Sequence, residues 1–246
     1  MGTSQKALGS SSSAADIVTT LIEAGTVERA ESSQRFFKTG PGEYGEGDRF
    51  LGLAVPALRS YAKHLRGLPA PVVRELLSDD FHEVRMLALF VATENYRRLD
   101  DREAWVALYR DAVRAGRVNN WDLVDCSAAV LLGDWLVRSD SFDELLVWAS
   151  SEALWERRVG IIGTQAFILA GRSDALLAVA TLVIDDRRDL IQKAFGWMLR
   201  EVGKRVDEQV LLEFLEANAA RMGRTALSYS IERLSKEQRS YFRALR

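Results

Sequence analysis

"RVNNWDLVDCSAAVLLGDWL", residues 117–136, joins a polar, acidic entry to a strongly apolar run, and its reading as a helix decides the fold. Residues four apart on a helix share a side, so Trp121 and Asp125 present one surface that either packs or does chemistry. The same pattern recurs along the chain in "DDFHEVRMLALFVATENY" from Asp79, "SEALWERRVGIIGTQAFILAG" from Ser151 and "DDRRDLIQKAFGWMLREVGK" from Asp185. With Gly116 as the start of the quoted segment, the four starts lie 37, 35 and 34 residues apart. Shorter amphipathic segments, "REAWVALYRDAVRAG", "SFDELLVWAS" and "SDALLAVATLVI", fall between them. One longer and one shorter helix per ~35–40 residues is the mark of a HEAT-like α-solenoid.

Composition agrees with an all-α class. Of 246 residues only 4 are Pro, 48% are hydrophobic, and β-branched alternation is scarce. Residues 1–14 are rich in Gly and Ser and read as a flexible tail, with one helical domain from 15 to 246. No apolar run reaches the about 18 residues of a membrane span or makes a signal peptide. A soluble, cytoplasmic monomer is expected.

One cysteine, Cys126, excludes a disulfide framework and a thiol metal cluster. His64 and His82 lack partners at ligand spacing, and Cys126 reads as a small buried residue, so no metal and no cofactor are expected. "GPGEYGEGD" at 40–48 is glycine-rich but acidic and lacks the Lys-Ser/Thr of a phosphate loop. The net charge of −2 argues against a general nucleic-acid coat and allows a local basic patch at most.

Within the long helices Arg85, Asp125, Arg158 and Lys193 fall in one slot, just before each apolar run, at separations of 40, 33 and 35. Trp121 lies one turn before Asp125 and Trp197 one turn after Lys193. Equivalent slots of a solenoid face alike, so three cations, one carboxylate and two indoles are expected on one concave wall. Trp105, Trp135 and Trp148 read as packing residues, and Asp122 as a helix cap or dipole partner. Asp125 sits a turn deeper, where a carboxylate needs a cationic neighbour or ligand.

The motifs "NNWDLVD" (119–125), "LWERRVGI" (154–161) and "QKAFGWMLREVGK" (192–204), with "FFKTGPGEYGEGDRFLGLAVPALR" (36–59), resemble the AlkD family of HEAT-like DNA alkylation repair glycosylases. The resemblance runs from about Ala15 to the C-terminus. It implies a right-handed α-solenoid with a concave DNA-binding face. It also implies excision of cationic N3- and N7-alkylated purines from double-stranded DNA. Asp125 would be the catalytic carboxylate, Trp121 and Trp197 would hold the lesioned nucleotide, and Arg158 would contact DNA. Lys193 and Arg85 join the DNA-binding set through the repeat register. Phe36 stands where a family member has tyrosine, and Tyr44 lies close enough in sequence to take that place in DNA contact. Two other classes stay open on the residues alone: a catalytically silent binder of DNA structure, and a protein-binding scaffold.

Overall fold

The computed structural model describes residues 8–98 and 101–245. The described residues are all-α: α1 (Ala14–Ala24), α2 (Val27–Phe36), α3 (Val55–His64), α4 (Ala70–Leu77), α5 (His82–Arg98), α6 (Arg102–Arg114), α7 (Trp121–Asp125), α8 (Asp134–Arg138), α9 (Asp143–Ser150), α10 (Leu154–Gly163), α11 (Gln165–Leu169), α12 (Asp174–Val183), α13 (Asp189–Arg205), α14 (Glu208–Asn218), α15 (Arg224–Ser230) and α16 (Lys236–Ala244). The only β feature among them is an isolated bridge between Arg49 and Phe81. No helix in this set is long and apolar enough to cross a membrane. Part of the stretch read as a tail, residues 1–7, lies outside the described residues. Beyond it, Ser13 caps α1 by accepting the Asp16 amide at 3.2 Å.

The chain divides into two compact units, one ending at Ser127 and the other beginning at Ala128. In the first, α5 packs against α3, α4, α6 and α7. Flanked on so many sides, it buries nearly every residue from His82 to Tyr96, which explains why it shows no polar face. In the second, α13 packs against α10, α14 and α15.

The long helices expected from Asp79 and Asp185 form as α5 and α13. The two between them do not run unbroken. After α7 the chain makes a turn at Cys126 and Ser127 and then a π-helical segment, Ala129–Gly133, before α8. The third long helix, from Ser151, is split into α10 and α11 at Thr164. A hydroxyl sits at each break. Ser127 Oγ donates to the Leu123 carbonyl at 2.6 Å, and Thr164 Oγ1 donates to the Ile161 carbonyl at 2.6 Å. Such back-bonding competes with the helical ladder and bends it. Gly133 closes the π segment because the Gly163 carbonyl and Ala166 Cβ occupy the space a side chain would need.

Candidate functional site

Every residue of "NNWDLVD" has a distinct task around α7. Asn120, fully buried in extended geometry, is the N-cap, and its Oδ1 accepts the Trp121 amide at 2.9 Å. Leu123 and Val124 are buried on the inner side of the helix. Trp121 and Asp125, one turn apart, are both half-buried. Asp122 Oδ1 accepts the Leu123 amide at 2.8 Å, while its Oδ2 reaches in the other direction, to His82.

His82 opens α5 and lies between two carboxylates. Its Nδ1 donates to Asp48 Oδ2 and its Nε2 to Asp122 Oδ2, each at 2.9 Å. An ionised carboxylate only accepts, so both ring nitrogens carry protons and the ring is an imidazolium. Burial opposes that charge, but the hydrogen bonds to Asp122 and Asp48 and their negative charge outweigh it and push the pKa up to about 9. Asp48 is buried too. Burial alone would raise its pKa, yet the His82 hydrogen bond and the charges of Arg85 and His82 hold it below the ordinary carboxylate value.

The imidazolium also ends an aromatic stack. His82 lies 4.6 Å from Phe50, Phe50 lies 5.1 Å from Phe37, and Phe37 lies 5.4 Å from Trp121 with ring planes 25° apart. Phe36 meets Trp121 edge-on at 6.1 Å and is 65% exposed, and the Tyr44 hydroxyl donates to the Phe36 carbonyl at 3.4 Å. Phe36 therefore belongs to the wall on which Trp121 rests, and Tyr44 is tied to it through the Phe36 carbonyl. The loop carrying Phe37 and Tyr44, residues 37–53, is clamped to the first turn of α5. Glu83 accepts the amides of Leu51, Gly52 and Leu53 at 2.9, 2.8 and 3.2 Å. Within the loop, Glu43 and Glu46 accept the amides of Gly40 and Gly42, both at 2.9 Å, and so occupy donors that a phosphate-binding loop would present.

The same clamp overturns the expectation for Arg85. At 2% exposure its guanidinium is ion-paired with Asp48 and donates to the carbonyls of Asp79 and Asp80 and to Asn119 Oδ1. Its slot in the helix matches the repeat, but the loop has folded over that slot and turned a would-be DNA contact into an internal cation. Asp48, His82 and Phe37 are invisible as a site in sequence, because a loop and the start of α5 bring them to α7 across 40 to 84 residues with no spacing rule.

Cys126 lines the surface just past Asp125, and its Sγ donates to the Leu123 carbonyl at 3.4 Å. Burial, reinforced by the nearby charges of Asp122 and Asp125, pushes the thiol's pKa up, so it is no nucleophile.

In the second unit Arg158, expected to contact DNA, is instead 4% exposed, and its guanidinium donates to the Leu190 carbonyl at the entry of α13. Lys193 pairs with Asp189 at 2.7 Å and is 40% exposed. Trp197 is half-buried on α13, one turn beyond Lys193. Trp105 and Trp148 are buried packing residues.

The model of the family described as "DNA alkylation repair enzyme" matches residues 17–234. Among curated proteins none matches the chain in sequence. A solved structure described as a predicted DNA alkylation repair enzyme from Enterococcus faecalis superimposes with a TM-score of 0.69 at 20% identity, covering 86% of this chain and 97% of that one. At that identity the likeness establishes the shared fold.

Proposed function

The chain belongs to the DNA alkylation repair enzyme family, and from that premise we propose that it is a monofunctional DNA glycosylase of the AlkD type. It would release cationic N3- and N7-alkylpurines, such as 3-methyladenine and 7-methylguanine, from duplex DNA. The observation that carries the reading is the pairing on α7 of a half-buried carboxylate, Asp125, with a tryptophan ring one turn away, on a helix whose other polar residues are committed to holding it in place.

The chemistry asks little more of the protein. An N3- or N7-alkylated purine is already cationic, so it leaves without a general acid. As the glycosidic bond lengthens, positive charge develops on the deoxyribose, and a fixed carboxylate beside it stabilises the oxocarbenium-like transition state. Asp125 supplies that charge and orients the water that attacks the sugar carbon. Trp121, immobilised against Phe37, offers its ring to the cationic nucleotide, an attraction of about 1–2 kcal/mol when shielded from water. In the second unit Trp197 and Lys193 are assigned to the nucleotide and the phosphate backbone respectively, and Arg158 to fixing the start of the helix that carries them.

The test is incubation of the protein with N-methylated duplex DNA, followed by chromatography of the free bases. Release of 7-methylguanine or 3-methyladenine supports the proposal. DNA binding without release at high enzyme concentration would leave a catalytically silent DNA binder.

A further inference from the structure

A cleft in the first unit, distinct from the Trp121 wall, collects three cations that have no ion-pair partner among the described residues. Its sides are α3 and α5, and Cys126 closes one end. Arg59 and Lys63 stand one turn apart on α3, both exposed, and Arg97 faces them from the last turn of α5. Among the described residues none of these three has an ion-pair partner. The one acid in the lining, Glu94, is engaged by Arg66 at 3.0 Å and Arg98 at 3.5 Å. Three cations drawn together without ion-pair partners repel one another, and an anion seated between them removes that repulsion.

One of the cations is also held in a fixed orientation. The Arg59 guanidinium lies 4.3 Å over the Phe90 ring, which fixes its plane and leaves the N–H edge to donate. Cys126 keeps its proton, because burial raises its pKa, so the thiol itself adds no negative charge. Cys126 directly follows Asp125, which puts the cleft one residue from the carboxylate assigned to catalysis.

We propose that the Arg59, Lys63 and Arg97 cleft binds a backbone phosphodiester of the DNA strand and so registers the duplex against Asp125. The inference rests on the glycosylase reading for its ligand. A free phosphate would satisfy the same chemistry, and proximity to Asp125 is what favours the polynucleotide. Each neutralised phosphate contributes about 0.9 to the slope of log affinity against log salt on duplex DNA.

The experiment is fluorescence anisotropy of an undamaged duplex, titrated with wild type and with the triple variant Arg59→Gln, Lys63→Gln, Arg97→Gln between about 50 and 200 mM salt. The slope is expected to fall by about two to three in the variant. Because Arg59 packs on Phe90, the single variant Lys63→Gln is measured beside it, with an expected fall of about one. Thermal unfolding of each variant shows that the fold is kept. Unchanged slopes in the variants, with a steep wild-type slope, would overturn the cleft and leave the glycosylase reading intact. A flat wild-type slope together with no base release would overturn both. Inorganic pyrophosphate is the second probe. If it raises the melting temperature of wild type but not of the variants while the DNA slopes are equal, the cleft serves a free anion and the proposal fails.

Discussion

Replacing His82 by glutamine tests the buried centre of the first unit. The ring's pKa rises from 6.5 to about 9, and each tenfold gain in proton affinity is worth about 1.4 kcal/mol, so the protonated ring stabilises the fold by about 3 kcal/mol. The pKa is raised in the folded protein. The stabilisation is therefore complete below pH 6.5, declines between there and about 9, and is gone above it. Asp48 acts on the acid side. Its pKa is lowered, so its contribution persists at neutral pH and fades only as the solution is acidified through its folded value. Cys126 adds a third effect, since a thiol kept neutral by burial costs stability once the unfolded thiol ionises above its ordinary value of 9.0. The readout is therefore the difference between wild type and His82→Gln, in which the cysteine cancels. Urea unfolding followed by circular dichroism at pH 6, 7.5 and 9 should give a difference that shrinks by about 3 kcal/mol across the series. A difference that stays constant within about 0.5 kcal/mol would refute the imidazolium and its two carboxylate partners.

Other outcomes follow from the same contacts. Arg85→Ala is expected to cost about 3–5 kcal/mol of stability, because it strands Asp48 inside the protein, while leaving the salt slope of DNA binding at its wild-type value; a changed slope would return Arg85 to the DNA face. Lys193→Gln is expected to flatten that slope by about one contact without changing the melting temperature. Phe37→Ala removes the ring on which Trp121 rests and, as Phe37 is half-buried, is expected to destabilise the protein by about 1–3 kcal/mol and to lower excision, with Phe37→Leu restoring most of the stability but less of the activity. Gly133→Ala is expected to destabilise by about 1–3 kcal/mol or more, read by thermal unfolding, since the new methyl meets the Gly163 backbone.

Periodicity carries the helical class because α6, α9, α12 and α13 each bury an apolar stripe of their own, and a stripe is a local signal. The breaks after α7 and α10 are not legible. Each depends on a hydroxyl, Ser127 or Thr164, choosing a backbone carbonyl over the ladder, and a serine or threonine in a helical pattern does not announce that choice. The candidate site divides in the same way. Trp121 and Asp125 can be found because their spacing of four is set within one helix. The Asp48, His82 and Phe37 support lies on a distant loop and helix, and the pairing that neutralises Arg85 comes from that loop, so helical slots alone mistake an internal cation for a surface one.

The proposed chemistry stands most directly on Asp125. Asp125→Asn keeps the shape of the side chain and removes its charge, so the decisive measurement is the single-turnover rate of 7-methylguanine release by this variant, with binding to the same duplex measured in parallel. A catalytic carboxylate predicts binding at least as tight as wild type, because a carboxylate near phosphates opposes affinity, and release slowed roughly 10- to 1000-fold. Release at the wild-type rate with binding intact would contradict that role.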